Sequence, residues 1–280
     1  MAQPSLPAKS GDGFLARLLS ALVLAPLVLG AIYLGPPYSD ALILLAGAAM
    51  AWEWARLCAG DPLRPAEYLF IGAVILVLLA ALLADARLAG WLLAAGAAVS
   101  LLAAAGRRSA DGTSRLGAWL AAGMVYVALP LLAFLFLRGE ETGGRNLIFW
   151  LLAVVWSTDI GAYFVGRTIG GPKLLPRISP KKTWAGLIGG MLAAAIVGVA
   201  VGLWLGGGQA PRLALLAALL AFISQGGDFL ESALKRRFNR KDSSRLIPGH
   251  GGILDRVDGL VAAVLGLALL VRIGQGPSLG

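Results

Sequence analysis

The sequence predicts an all-α fold: a polytopic integral membrane helix bundle of about nine transmembrane helices with a cytoplasmic N-terminus. Three observations predict it. Hydrophobic residues make up 58% of the 280, and charged residues only 14%, where a typical soluble domain carries about 25%; the mean hydropathy is +0.80. Apolar stretches of about 20 residues, enough to cross the hydrocarbon core, recur along the chain. The 38 glycines, with abundant alanine, suit helices whose backbones approach closely in a bilayer.

Residues 1–13, MAQPSLPAKSGDG, read as a cytoplasmic tail. Spans are expected at 14–35, 39–57, 66–84, 87–106, 116–137, 147–167, 184–206, 212–234 and 256–274. Lys9 and Arg17 precede the apolar run Leu18–Leu34, which is long enough to span and shows no small-residue cleavage site. It therefore reads as a retained span and not as a cleaved signal peptide. The short link around Asp85 and Arg87 makes the third and fourth spans a hairpin. No soluble domain and no internal repeat interrupts the pattern. The chain divides into the tail, an N-terminal set of helices at 14–146, and a C-terminal catalytic region at 147–280 with cytoplasmic loops.

The basic residues set the orientation. With the N-terminus inside, the inside segments hold 19 of the 24 Lys and Arg residues, a strong positive-inside bias. The net charge of +9 is then explained by loops lying against anionic lipid, and nucleic acid is not an expected partner. The single cysteine, Cys58, excludes an intrachain disulfide framework and a Cys-based zinc cluster. It reads as a small apolar helix residue.

Polar chemistry gathers in the C-terminal half. The eighth span, LALLAALLAFISQGGDFLESALKRR, carries Asp228 and Glu231 in an apolar helix, where acids are costly and usually line a polar interior. Asp228, Ser232 and Lys235 share one helical face, beside Gly226 and Gly227. The loop after it is dense in positive charge from Lys235, Arg236, Lys241 and Arg245. IPGHGG then supplies glycines that let a phosphate approach the backbone. His250, the only histidine, sits between glycines, where it faces a ligand, shares a proton, or makes a structural hydrogen bond. Asp255 and Asp258 follow at i and i+3. Carboxylates without Cys and with one His favour a hard cation, Mg²⁺ over zinc. Together these suggest a nucleotide polyphosphate bound with Mg²⁺; a basic loop on lipid headgroups is the alternative.

A second polar segment, WSTDIGAYFVGRTIGGPKLLPRISPKKTWAG, places Asp159 inside the sixth span with Tyr163 one turn on. Lys173, Arg177, Lys181 and Lys182 follow. SPKKT offers two adjacent ammonium groups, hydroxyls from Ser179 and Thr183, and N–H groups at the start of a helix, a favourable anion site. The segment is not a P-loop, since GxxxxGK[ST] is absent. Upstream, Glu53 in MAWEWARL is expected to snorkel or to hydrogen-bond between helices. Trp52 and Trp54 read as interface aromatics.

SALKRRFNRKDSSRLIPGHGGILDRVD, Ser232 to Asp258, resembles the signature of the phosphatidate cytidylyltransferases (CDP-diacylglycerol synthases). The matching positions are Ser232, Lys235, Arg236, Lys241, Asp242, Pro248, His250, Gly251, Gly252, Asp255, Arg256 and Asp258. ISPKKT, Asp159 and Tyr163 are also similar to that family. Ala185 stands where the family commonly has Glu, and Ser244 and Gly259 replace a usual Gly and Ser.

The resemblance implies that CTP and phosphatidate give CDP-diacylglycerol and pyrophosphate. It implies a metal centre at Asp228 and Asp255 holding Mg²⁺, with a monovalent cation such as K⁺ as a second ion. Catalytic roles fall to Asp228, Lys235, Arg236, Lys241, His250, Asp255, Arg256 and Asp258. Substrate binding falls to Asp159, Tyr163, Ser179, Lys181, Lys182, Thr183, Ser232, Asp242, Gly251 and Gly252. A homodimer in the bacterial inner membrane is implied, its site facing the cytoplasm. Glu53→Gln is expected to retain most activity. Competing readings are weaker. A CDP-alcohol phosphatidyltransferase would show DGxxAR, which is absent. A secondary transporter would show inverted repeats. A CTP-dependent lipid kinase would move the terminal phosphate.

Overall fold

The computed structural model describes residues 10–112, 115–140, 143–247 and 251–279, with the backbone alone at 10–19 and 21. Among these residues the helices are α1 (Ser10–Leu34), α2 (Tyr38–Ala59), α3 (Pro65–Leu83), α4 (Ala86–Ala103), α5 (Leu116–Gly123), α6 (Leu129–Arg138), α7 (Gly144–Thr168), α8 (Trp184–Trp204), α9 (Ala210–Arg237) and α10 (Leu254–Arg272). A π-helical turn, Met124–Ala128, joins α5 and α6 into one rod. Pro130 lies one turn beyond Tyr126 and has no N–H to bond its carbonyl, which favours this local widening.

The chain is an all-α membrane protein with one small exception. Among the described residues, seven helices are long and apolar enough to cross a membrane: α2, α3, α4, the α5–α6 rod, α7, α8 and α9. The apolar part of α1, Leu22–Leu34, is shorter. The first turns of α10 carry Asp255, Arg256 and Asp258, which lowers its apolar character. The exception is a two-stranded antiparallel hairpin, β1 (Lys173–Leu175) and β2 (Ser179–Thr183), with Lys173 opposite Thr183. It carries SPKKT, in the stretch expected as a loop between the sixth and seventh spans, and departs from an all-α fold only there. The expected α3–α4 hairpin is present. Asp85 makes its turn sharp by accepting a hydrogen bond from Leu88 N at 2.8 Å, an N-cap.

Successive rods alternate in direction, so the segments 104–115, 169–183 and 238–253 gather at one end. Arg237 at the end of α9 pairs with Asp111 of the 104–115 segment at 3.2 Å. At the opposite end Arg138 pairs with Asp40 at 2.7 Å.

Glycine sets the spacing of the helices that frame the site. A Cβ on Gly161 of α7 would stand 2.9 Å from the Gly189 carbonyl of α8, and one on Gly186 of α8 would stand 2.9 Å from that of Ala162. The two helices thus pack backbone to backbone, as small residues permit. Trp150 closes the pair by donating to the Gly198 carbonyl at 2.7 Å. α9 meets α10 the same way: a Cβ on Gly227 would stand 2.5 Å from the Asp258 carbonyl.

The N-terminal helices pack around Trp54. It is only 2% exposed, stacks on Tyr126 with ring centroids 4.8 Å apart, and donates to the Trp119 carbonyl at 2.8 Å. It is a core residue, which corrects the interface assignment. Trp52 instead lies under the Arg56 guanidinium, 4.6 Å from its ring centre. Burial in a packed core satisfies the indole N–H better than a headgroup does here, because a helix carbonyl is held within reach.

Candidate active site

The end of the bundle where α7, the hairpin, α8 and α9 meet holds a cleft of about 560 Å³. Asp159, Tyr163, Arg167, Lys173, Lys181, Lys182, Thr183, Gln225 and Asp228 are among its lining residues. α7 delivers Asp159, Tyr163 and Arg167 from one face at helical spacing. The Arg167 guanidinium donates to Tyr163 Oη at 2.6 Å. The hairpin delivers the lysines. It is braced against α8 because Thr183 is the N-cap, accepting from Gly186 N at 3.0 Å. Trp184 N donates to the Pro172 carbonyl at 3.1 Å. These N–H groups are therefore engaged within the protein, and it is the lysine side chains that face the cleft.

Lys182 Nζ lies 2.6 Å from Asp228 Oδ2 and 4.6 Å from the ring centre of Phe229. The other oxygen of Asp228 faces α10, 2.9 Å from where a Cβ on Gly259 would stand. Asp258, adjacent to Gly259, is within electrostatic reach of Asp228, Glu231 and Asp159. Its Oδ1 accepts from Gly259 N at 2.9 Å.

One and two turns further along α9, Glu231 and Lys235 pair at 2.5 Å. Lys235 Nζ also lies 2.7 Å from Asp255 Oδ1. Asp255 is enclosed by donors: Ser243 N at 2.9 Å, Ser243 Oγ at 3.0 Å and Gly252 N at 2.8 Å all reach Oδ2. Ser243 Oγ also touches Glu53 of α2. Gly251 has φ of +87°, a backbone state that favours glycine. A Cβ there would stand 2.8 Å from Asp255 Oδ2, so a side chain would crowd the carboxylate.

The structure thus brings together Asp159, Tyr163, Lys181, Lys182, Thr183 and Asp228 in the cleft, and Lys235, Gly252 and Asp255 beside it. Arg236, Lys241, Asp242 and Arg256 are exposed and are not among the residues that line the cleft, and Ser179 and Ser232 are half-buried. His250, with Pro248 and Gly249, lies outside the described residues. Sequence reasoning did not assign Arg167, Gln225, Ser243 or Glu53. Arg167 was legible, lying one turn beyond Tyr163 on the same face. Ser243 has no pattern that marks it.

Glu53 does not snorkel. It is 0% exposed and accepts hydrogen bonds from the 238–253 loop and from the start of α10. An interhelical hydrogen-bonding role is what the structure shows.

Among the described residues no group of three or more His, Cys, Asp or Glu is arranged to hold a metal ion. Mg²⁺ is usually bound by one or two carboxylates, with phosphate oxygens and water completing the shell. Asp228 supplies a hard oxygen at the cleft wall. Asp255 would share its oxygens with Lys235 and Ser243.

Fold and cleft together define a helical membrane protein with lysines set against carboxylates at one end of its bundle. The particular family follows from sequence similarity. The model of the Cytidylyltransferase family matches residues 15–274, and the chain belongs to that family. It is 42% identical over 263 residues to the phosphatidate cytidylyltransferase of Brucella suis biovar 1, covering 93% of this chain and 94% of that protein. It is 39% identical over 274 residues to that of Pseudomonas aeruginosa, covering 93% and 98%. It is 42% identical over 138 residues to that of Bacillus subtilis, covering 48% and 50%.

Proposed function

We propose that this chain transfers CMP from CTP to phosphatidate, giving CDP-diacylglycerol and pyrophosphate. The observation that carries the reading is the Lys182–Asp228 pair, which joins the basic hairpin to an acid of α9 at the mouth of one cleft. Two anions must meet there. The phosphatidate phosphate is already a nucleophile and needs no strong base. One of its oxygens bonds to the α-phosphorus of CTP, and the bond from that phosphorus to the bridging oxygen of the β-phosphate breaks. The electron pair leaves with pyrophosphate.

The residues act by positioning and charge, the main contributions in phosphoryl transfer. Lys173, Lys181 and Lys182 on the hairpin, with Arg167, offset the triphosphate. Lys235, Arg236, Lys241 and Arg256 offset the lipid phosphate from the other side. Asp228 and Asp255 are the residues that would hold Mg²⁺. Bound there, Mg²⁺ supplies charge neutralisation at the α-phosphate and the leaving group. K⁺ as a second cation, and a homodimer, belong to the same reading. We place the site at the cytoplasmic face of the inner membrane, with the N-terminus inside, on the positive-inside distribution. On that reading α1 and α10 also cross, giving nine spans.

The test follows the label. With purified protein, phosphatidate and Mg²⁺, label from α-³²P CTP enters the lipid fraction, and label from γ-³²P CTP leaves as pyrophosphate. Terminal label in the lipid would make the chain a CTP-dependent lipid kinase and sink the proposal.

A further inference from the structure

We infer that Glu53 is a positioning residue: a single carboxylate of α2 that clamps both ends of the 244–253 loop and caps α10, thereby fixing Asp255. The inference rests on the cytidylyltransferase reading for its catalytic consequence, though not for the clamp itself.

α10 starts without a cap of its own. Ile253 is its N-cap and Leu254 its first residue, the N-cap side chain makes no capping hydrogen bond, and the first N–H groups of a helix need outside acceptors. Glu53 supplies them from 200 residues away. Ile253 N donates to Oε1 at 2.9 Å and Leu254 N to Oε2 at 2.8 Å. The negative charge also complements the helix dipole there. The same carboxylate accepts from Ser244 Oγ at 2.6 Å and from Ser243 Oγ at 3.2 Å. So the entrance and the exit of the loop that carries Arg245 are tied to one point.

That point is linked to the reacting end of the protein. Ser243 Oγ bridges Glu53 and Asp255, at 3.2 and 3.0 Å. Gly252 N goes to Asp255, while the next two amides go to Glu53. Three consecutive N–H groups are thus divided between the two acids. The approach leaves no slack, since a Cβ on Gly252 would stand 2.5 Å from Glu53 Oε1. No Lys or Arg side chain within 4.0 Å pairs with Glu53 among the described residues. It is therefore an acceptor for the loop and not half of a structural ion pair.

Glutamine cannot replace it. Ile253 N and Leu254 N reach different oxygens, so a Gln in either flip turns its NH₂ toward one of two buried N–H donors. On this inference Glu53→Gln loses activity, against the expectation that it retains most of it.

The experiment uses the full chain in detergent, with Glu53→Gln, Ser244→Ala and, as a control, Glu67→Gln. Glu67 is equally buried but serves Arg64 and Arg107, away from this loop. Limited trypsin cleavage at Arg245, inside the clamped loop, reads its opening. Glu53→Gln is expected to speed it about tenfold, as leaving a buried donor unmet implies; Ser244→Ala should give a smaller increase, and Glu67→Gln none. Where Glu53→Gln chromatographs as folded protein, kcat should fall about tenfold or more, with the Mg²⁺ needed for half-activation raised and KM for CTP little changed. Cleavage at the wild-type rate in both loop variants overturns the clamp, and so does unchanged kcat in Glu53→Gln with an opened loop. If the wild type makes no CDP-diacylglycerol, the reaction assignment fails while the cleavage arm still decides the clamp.

Discussion

Lys182 and Asp228 lie 46 residues apart and meet at 2.6 Å, tying the β-hairpin to the middle of the polar face of α9. The pair is partly buried, with side-chain exposures of 24% and 15%. Its charges are therefore screened less than a surface pair would be. This contact closes the wall between the lysine-bearing hairpin and the carboxylates.

Breaking that pair should cost activity from either side, and unequally. Lys182→Met should lower kcat/KM by about 10²-fold, roughly the loss expected from one transition-state electrostatic contact. Asp228→Asn should reduce turnover to background. The double variant should be no worse than Asp228→Asn alone, because the residues act as a unit. Additive losses in a steady-state double-mutant cycle would separate them.

Asp255→Asn should also abolish turnover while leaving folded, membrane-inserted protein. Lys235 and three donors from Ser243 and Gly252 surround that carboxylate. A neutral amide would set its NH₂ against some of them. The check is CDP-diacylglycerol formation over a Mg²⁺ titration, beside size-exclusion of the variant. Near-normal rates would place the essential carboxylate elsewhere.

Gly227→Ala should loosen α9 from α10. The added methyl would meet the Asp258 carbonyl at 2.5 Å and Ala262 Cβ at 2.8 Å, and backbone cannot yield as a side-chain tip can. A loss of about 1–3 kcal/mol is typical of overpacking, read as a lowered melting temperature in detergent. Gly226→Ala is the control, since nothing lies within 4 Å of its added carbon.

The orientation is open to labelling. In a Cys58→Ala background, single cysteines at Leu175 and Leu246, both exposed, should react with an impermeant maleimide in inverted vesicles and not in intact cells. One at Gly208, in open space at the other end of the bundle, should react only from the opposite side. Labelling of Leu175 and Leu246 from different faces would break the arrangement.

Composition and hydropathy were enough to predict a membrane helix bundle, because solvation by lipid constrains every exposed residue of a span. Helix positions were legible within a few residues for the same reason. The acids at 159, 228, 255 and 258 stood out since a carboxylate in an apolar helix is expensive, and their chemistry pointed to phosphate and a hard cation. Tertiary structure alone decided which of these groups meet. Lys182 reaches Asp228 because a hairpin, invisible to helical periodicity, folds back over glycine-paired helices. Trp54 became core because the Tyr126 ring and the Trp119 carbonyl lie within its reach. Glu53 looked like an ordinary acid near a span end. Its partners are amides and hydroxyls about 190 to 200 residues away, a separation that appears in no local pattern. Backbone N–H groups carry no sequence signature, so only the folded chain could show that α10 begins uncapped and that α2 supplies the cap.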